Sequence, residues 1–266
     1  MQKDDRLEIY TQREYKVVKA NEIIQKARYD LSLSEIKAFS YIVSKVKPGD
    51  PVGTEYVFRI NDYCKLAGIN TNDKDNIAMV KKAVKSLRDK SFWITQVDGT
   101  ETTVGWLDKA WINKGSGKIK VRFDEDMQKY ITGLYENFTQ YTLLCTLPMQ
   151  SSYSIRIYEL LKSYAFTKTH TFAVDQLKKL LGCENYVRFP DFRRKVLEIA
   201  TREINEYTDL EVSWEPITQG RKVIEIKYHI GTKSAYAYLE SSQKATDRLD
   251  GQISMFDYLS GGSADE

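Results

Sequence analysis

Hydrophobic residues return every third or fourth position from Ile36 through Phe39, Ile42, Val43 and Val46, which predicts an amphipathic helix. Ser32-Leu33-Ser34-Glu35 stands at its start as a capping box, in which Ser32 and Glu35 satisfy each other's free helix-end donors, and Pro48-Gly49 ends it. A short strand, Tyr56–Ile60, leads to a small helix with Asn61 as N-cap, Tyr63 and Leu66 inward and Gly68 as its stop. A longer helix, about Lys74 to Lys90, buries Ile77, Val80, Val84 and Leu87. The period then shortens to two, with turns at Asp98-Gly99 and Gly115-Ser116-Gly117, and Ile119-Lys120-Val121-Arg122-Phe123 forms one arm of a hairpin.

The same order comes round again. Ile155, Tyr158, Leu161 and Ala165 mark a helix, Thr171–Val174 a short strand, and Asp175 caps a small helix that Gly182 closes. A long helix opens at Phe189-Pro190-Asp191, with proline suited to the first turn, and carries Phe192, Val196, Ile199, Ala200 and Ile204 inward. Leu210, Val212 and Trp214 then alternate, Gln219-Gly220-Arg221 turns, and Ile224, Ile226, Tyr228 and Ile230 alternate back. The residues repeat with the order: Phe58-Arg-Ile-Asn-Asp-Tyr-Cys-Lys-Leu-Ala-Gly68 aligns without gaps on Phe172-Ala-Val-Asp-Gln-Leu-Lys-Lys-Leu-Leu-Gly182. Helix, strand, helix, turn, helix and hairpin, twice over, is the winged-helix plan in duplicate. The expectation is an α+β chain of two tandem winged-helix domains, residues 1–140 and 141–231, with a flexible C-terminal tail over 232–266.

Charge sharpens this picture once it is divided along the chain. The overall balance is only +3. Residues 232–266 hold three basic groups and six acidic ones, leaving 37 basic against 31 acidic groups for residues 1–231. A basic body with an acidic tail suits a polyanionic partner. The 18 tyrosines add hydroxyls able to reach phosphate as well as core area. Cys64, Cys145 and Cys183 are odd in number and lack CxxC spacing, which speaks against a disulfide framework or a structural zinc and for a reducing cytoplasm. No stretch is apolar enough to span a bilayer.

In a helix-turn-helix the second helix enters the major groove. The two candidate readers are the helix with Lys81, Lys82, Lys85 and Arg88 and the helix with Arg193, Arg194, Lys195 and Arg202. Lys81, Lys85 and Arg88 fall on one face, away from the apolar stripe. Arg193, Arg194 and Lys195 occupy the first turns of their helix, where arginine can bond guanine in bidentate fashion while lysines hold phosphates. Arg188 precedes that helix, and Arg221 and Lys222 sit at a hairpin tip suited to a phosphate or a minor groove. Each group taken alone also fits a solvated face, and Arg202 could pair with Glu198. Their recurrence at the reader position of both units favours DNA.

Enzymatic chemistry finds little support. There is no GxxxxGK[ST] loop, and Gly115-Ser116-Gly117-Lys118 lacks the spacing. His170 and His229 are the only histidines and lie far apart, so a His-pair metal nuclease or relaxase has no ligand set. No catalytic, metal or cofactor site is expected.

Tyr153-Ser-Ile-Arg-Ile-Tyr-Glu-Leu-Leu-Lys-Ser-Tyr164, Phe189-Pro-Asp-Phe-Arg-Arg-Lys-Val-Leu197, Glu203–Glu206 and Thr208-Asp209-Leu210 together resemble the initiator (Rep) family of iteron-containing bacterial plasmids. Gly220-Arg221-Lys222 matches that family's wing, and Leu33–Phe39 and the stretch near Ser86-Leu87 match by layout. The likeness covers roughly residues 17–231. It implies a DNA-binding protein that recognises directly repeated double-stranded origin sites, helps open the duplex and recruits host replication proteins. It also implies a homodimer in equilibrium with monomer, the dimer repressing its own gene. The second domain would be the main reader, and the first would add DNA contacts and the dimer surface. A winged-helix transcriptional regulator without a replication role is the alternative.

In the tail, Gln252-Ile253-Ser254-Met255-Phe256 resembles the peptide by which bacterial replication proteins dock on the sliding clamp. Met255 and Phe256 would fill an apolar pocket, and Gln252 would fix register. The competing reading is a short helix folded back on the body, with Ile253, Phe256 and Leu259 inward.

Overall fold

The computed structural model describes residues 3–96, 98–113 and 115–261, with side chains over residues 7–251 apart from positions 97 and 114. The first half runs α1 (Lys3–Arg13), β1 (Lys16–Ala20), α2 (Asn21–Lys26), α3 (Leu33–Val43), β2 (Glu55–Arg59), α4 (Ile60–Leu66) and α5 (Lys74–Asp89). It continues through β3 (Ser91–Thr95), β4 (Glu101–Gly105), β5 (Leu107–Asn113), β6 (Lys118–Phe123), α6 (Glu125–Gln128) and β7 (Phe138–Thr142). The capping box forms as expected: Glu35 N donates to Ser32 Oγ at 3.4 Å, and Ser32 N donates to Glu35 Oε2 at 2.8 Å. α3 stops at Val43, and Val46 packs beyond its end, partly buried. Trp106, 1% exposed, organises the core, meeting the Tyr29, Phe39 and Phe92 rings with centroids 4.6, 4.8 and 4.5 Å away. Such contacts add about 0.5–1.5 kcal/mol each beyond burial.

The second half repeats the plan in α7 (Ser152–Ser163), β8 (Thr169–Ala173), α8 (Val174–Leu181), α9 (Phe189–Phe192), a π-helical stretch Arg193–Leu197, α10 (Glu198–Tyr207), β9 (Leu210–Gln219) and β10 (Lys222–Thr232). Each unit has a three-stranded antiparallel sheet, β2-β6-β5 in the first and β8-β10-β9 in the second, and β1-β7 and β3-β4 form two-stranded pairs besides. The strand that precedes the two reader-side helices therefore pairs with the last hairpin arm in both units. The gapless alignment holds in space: Phe58 pairs with Ile119, Phe172 with Ile226. Each small helix is followed by a glycine in the left-handed region, Gly68 at φ +69° and Gly182 at φ +63°. Both helices begin one residue before the expected caps. Ile60 and Val174 are already helical and buried, so Asn61 and Asp175 lie inside the first turn and make no cap bond. The first unit also inserts the β3–β4 hairpin between its reader helix and its wing.

The expected flexible tail is corrected over residues 235–251 only, which pack on the body. A helix, α11 (Ala235–Gly261), begins just beyond β10, and its first half packs on α10. Ala245 and Leu249 are fully buried, Ser241 is 5% exposed, and Tyr238 is half-buried with its hydroxyl 3.2 Å from Thr142 Oγ1. Lys233 fastens the junction, donating to the Thr208 carbonyl at 2.9 Å and to Ser241 Oγ at 2.7 Å. Further along, Asp250 accepts from Arg13 Nη1 at 2.8 Å and from the Tyr10 hydroxyl at 2.8 Å, tying α11 to α1. Positions 238, 241, 245 and 249 make a helical stripe, but serine and alanine dilute it below what periodicity detects. Gln252, Met255 and Phe256 fall on the last turns of α11, where side chains lie outside the described residues. No described helix is long and apolar enough to cross a membrane.

Candidate nucleic-acid interface

In the second unit α9, the π-helical stretch and α10 form one helix from Phe189 to Tyr207. Phe192, Val196, Ala200 and Ile204 are fully buried along it, and Ile199 is half-buried. The wide turn also carries Leu197 inward, fully buried, beside Val196. The π turn accommodates one extra residue at this point of the helix; such turns recur at functional sites. Arg193, Arg194, Lys195 and Arg202 line the outer side of this helix, and Arg188 stands at its N-cap position. Arg188, Arg193, Arg194, Lys195 and Arg202 are all exposed.

Their partners at rest are weak. Arg193 Nε reaches Glu198 at 3.0 Å and Arg194 Nη2 reaches Asp191 at 3.5 Å, pairs that solvent reaches freely. Glu198 thus takes Arg193 and not Arg202, which has no ion pair among the described residues. Lys195 Nζ lies 5.5 Å from the Tyr186 ring centroid. Lys178 Nζ, donating to the Tyr186 carbonyl at 2.6 Å, braces the turn ahead of the reader helix.

The wing is a two-residue turn, with Gln219 paired to Lys222 and Gly220 at φ +61° as the first central residue, the position where tight hairpin turns demand glycine. Arg221 and Lys222 are exposed. They border a cleft whose other wall includes Val187, Phe189 and Pro190, so wing and reader-helix start flank one opening. On the wing stem Glu215 accepts from Lys227 at 3.1 Å and contacts His229 at 3.3 Å. Those bonds hold its carboxyl below the usual carboxylate range. His170 stacks on Tyr164, with centroids 3.6 Å apart, and burial pushes its imidazole below the usual value.

In the first unit Lys82, Lys85 and Arg88 project from α5 and Lys81 is half-buried, while Lys85 pairs with Asp89 one turn on. These four side chains form one wall of a groove whose other wall is the wing strand β5, with Lys109 and Ile112. Lys109 was not singled out from the sequence, nor was the cluster beside it. Trp111 has the Lys120 ammonium 4.3 Å and the Lys109 ammonium 5.2 Å from its ring centroid. The legible signal was the cation at every second position of Lys118, Lys120 and Arg122, which registered only as strand alternation. Lys120 and Arg122 are met by Glu55 and Asp108, whereas Lys109 has no ion pair among the described residues. Among the described residues no group of three or more His, Cys, Asp or Glu is placed to hold a metal ion.

Two helix-turn-helix units in tandem, each completed by a β-hairpin wing, make this a tandem winged-helix protein. The chain belongs to the plasmid-type initiator replication protein family. The family's first model (Initiator Replication protein, WH1) matches residues 16–162 and its second (Initiator Rep protein, WH2) matches residues 173–230. An Escherichia coli protein named "Uncharacterized 27.6 kDa protein" is 24% identical over 228 residues, 79% of this chain and 93% of its own length. The PI protein of Escherichia coli is 30% identical over 141 residues, 44% of this chain and 46% of its own length. The fold is similar to that in the crystal structure of Pi initiator protein in complex with iteron DNA, with a TM-score of 0.68 and 21% identity over 84% of this chain and 99% of that one.

Proposed function

We propose that this chain is a plasmid replication initiator that binds directly repeated double-stranded sites at its origin. The observation that carries this reading is that each unit of a family member sets its wing across an opening from its reader helix, Arg221 and Lys222 facing Phe189 and Pro190 at the helix start in the second unit, and Lys109 facing Lys81, Lys82, Lys85 and Arg88 in the first. Arg193 and Arg194 read base edges in the second unit, and Lys195, Arg188, Arg202, Arg221 and Lys222 hold phosphates or the minor groove. Lys81, Lys82, Lys85 and Arg88 of the first unit, joined by Lys109, anchor a neighbouring stretch of backbone. Winged-helix binding of this kind needs no catalytic step of the chain's own; its work is to hold an origin so that the duplex opens and host replication proteins assemble.

The main reader is the second unit, and the first contributes a dimer surface as well as DNA contacts. Dimer repressing, monomer initiating, is the regulatory arrangement that follows for a protein of the bacterial cytoplasm. Gln252, Met255 and Phe256 dock on the host sliding clamp. The test is binding to the plasmid's own repeat-containing origin fragment together with melting of an adjacent AT-rich segment. Origin preference without melting would leave a transcriptional regulator.

A further inference from the structure

Helix α7 turns two faces to two bodies. On one face Arg156, Glu159 and Ser163 follow at spacings of three and four and meet the first half. Glu159 Oε1 accepts from the Lys19 ammonium of β1 and from the Tyr141 hydroxyl of β7, both at 2.6 Å. Arg156 Nη2 donates to the Ile24 and Ala27 carbonyls at 3.4 and 3.3 Å, so it caps the C-terminus of α2. Its Nη1 reaches Glu159 Oε2 at 3.4 Å, and the guanidinium lies 4.0 Å from the Tyr29 ring centroid. Gln25 Nε2 adds a bond to Ser163 Oγ at 3.0 Å. On the other face Tyr158 donates to Asp209 at 2.8 Å, Lys162 pairs with the same carboxylate, and the helix packs along α10, the second half's reader.

This cluster is deeply buried: Lys19 is 2%, Arg156 4% and Glu159 0% exposed. Burial alone would raise the Glu159 carboxyl, but Lys19 and Arg156 outweigh it and hold it below its usual range. Buried ion pairs contribute little net stability, because desolvation offsets their attraction, and Arg156 Nε has no hydrogen-bond partner among the described residues. What such a cluster supplies is direction, since hydrogen bonds to fixed carbonyls tolerate little rotation. The fit nearby is equally close, for a Cβ added at Gly182 would stand 3.2 Å from the Tyr29 carbonyl oxygen.

We infer that Arg156 and Glu159 are positioning residues that fix the angle between the two reader helices and thereby set the spacing of DNA contacts this chain accepts. The inference rests on the proposed DNA-binding function for its DNA half only. The arrangement of the two units is read without DNA as a distance, by double electron–electron resonance between spin labels on cysteines introduced at Asp98 in the β3–β4 turn and at Gln219 beside the wing turn. The native Cys64, Cys145 and Cys183 are buried. Wild type gives one narrow distance, Arg156→Gln a broadened or second one, and Arg156→Lys, which keeps the charge, an intermediate result. If Arg156→Gln fails to fold, Gln25→Ala at the half-buried rim is the substitute, with a smaller broadening. An unchanged distance in whichever of these variants folds overturns the joint.

On DNA, one base pair inserted between the two units' sites lowers wild-type affinity on the order of tenfold and that of Arg156→Gln less than about threefold, because a slack joint lets both units stay engaged. Equal penalties in both proteins overturn the link to spacing. A wild type that shows no preference for repeat DNA, with the distance broadened as expected in the variant, removes the function beneath the DNA half and leaves the joint standing.

Discussion

Arg193 and Arg194 rest against Glu198 and Asp191, and the strength of those pairs decides whether DNA can take the arginines over. Exposed pairs are worth about 0–1 kcal/mol, whereas a bidentate arginine–guanine contact is worth about 1–3 kcal/mol of discrimination. Replacing both arginines by alanine is therefore expected to lower the ratio of repeat to random-duplex affinity, by about 1–3 kcal/mol for each arginine that reads a base. An unchanged ratio would move base reading to another face. Glycine makes a cleaner contrast at the same scale. Gly182 and Gly220 have φ of +63° and +61°, but nothing lies within 4 Å of a Cβ at Gly220. Gly220→Ala should cost only the left-handed conformation, about 1–2 kcal/mol. Gly182→Ala must in addition push against the Tyr29 carbonyl and Asp30, so its denaturation midpoint should fall further. Equal midpoints would mean that the seam between the halves is looser than its distances imply.

Elements declared themselves in the sequence where local signals agreed. The capping box, the αL glycines and the two-residue wing each combine a residue type with a backbone need, and the start of α3, the ends of α4 and α8 and the wing turn stand where those signals put them. The β1–β7 pair was not legible, because its five-residue strands join positions more than a hundred residues apart. Lys19 and Glu159 escaped notice because charged residues ordinarily read as surface. The π turn hid in a helical pattern that looked regular from Phe192 to Ile204. Helix α11 was hidden by its serine- and alanine-rich inner stripe, yet Leu249 at 0% exposure makes it part of the core. Leu249→Ala is expected to cost about 2–5 kcal/mol in chemical denaturation, where a loose tail would cost nothing. The wing has its own signature. Arg221→Ala/Lys222→Ala should reduce the slope of log affinity against log salt by about one for each phosphate left without its cation, with little change in sequence preference. A slope that stays put would remove the wing from the interface.

At the scale of the molecule, α7 joins the first half to the second unit's reader helix, while α11 lies across α10 and reaches α1. The charge asymmetry follows the same division, with the cations on the winged helices and the acidic excess in residues 232–266. An acidic terminus near a basic DNA-binding body suits a partner other than DNA. Pull-down of the host sliding clamp should therefore succeed with the wild-type chain and fail with Met255→Ala/Phe256→Ala; equal recovery would dispose of the clamp role. Above all of this stands sequence-selective binding at an origin. Titrating the purified chain onto its own plasmid's repeat-containing fragment and onto random duplex, across a salt series, separates phosphate attraction from base reading. An initiator gives affinities that fall with salt on both DNAs while the preference for the repeats persists. Equal affinities at every salt concentration would contradict it, whatever the fold.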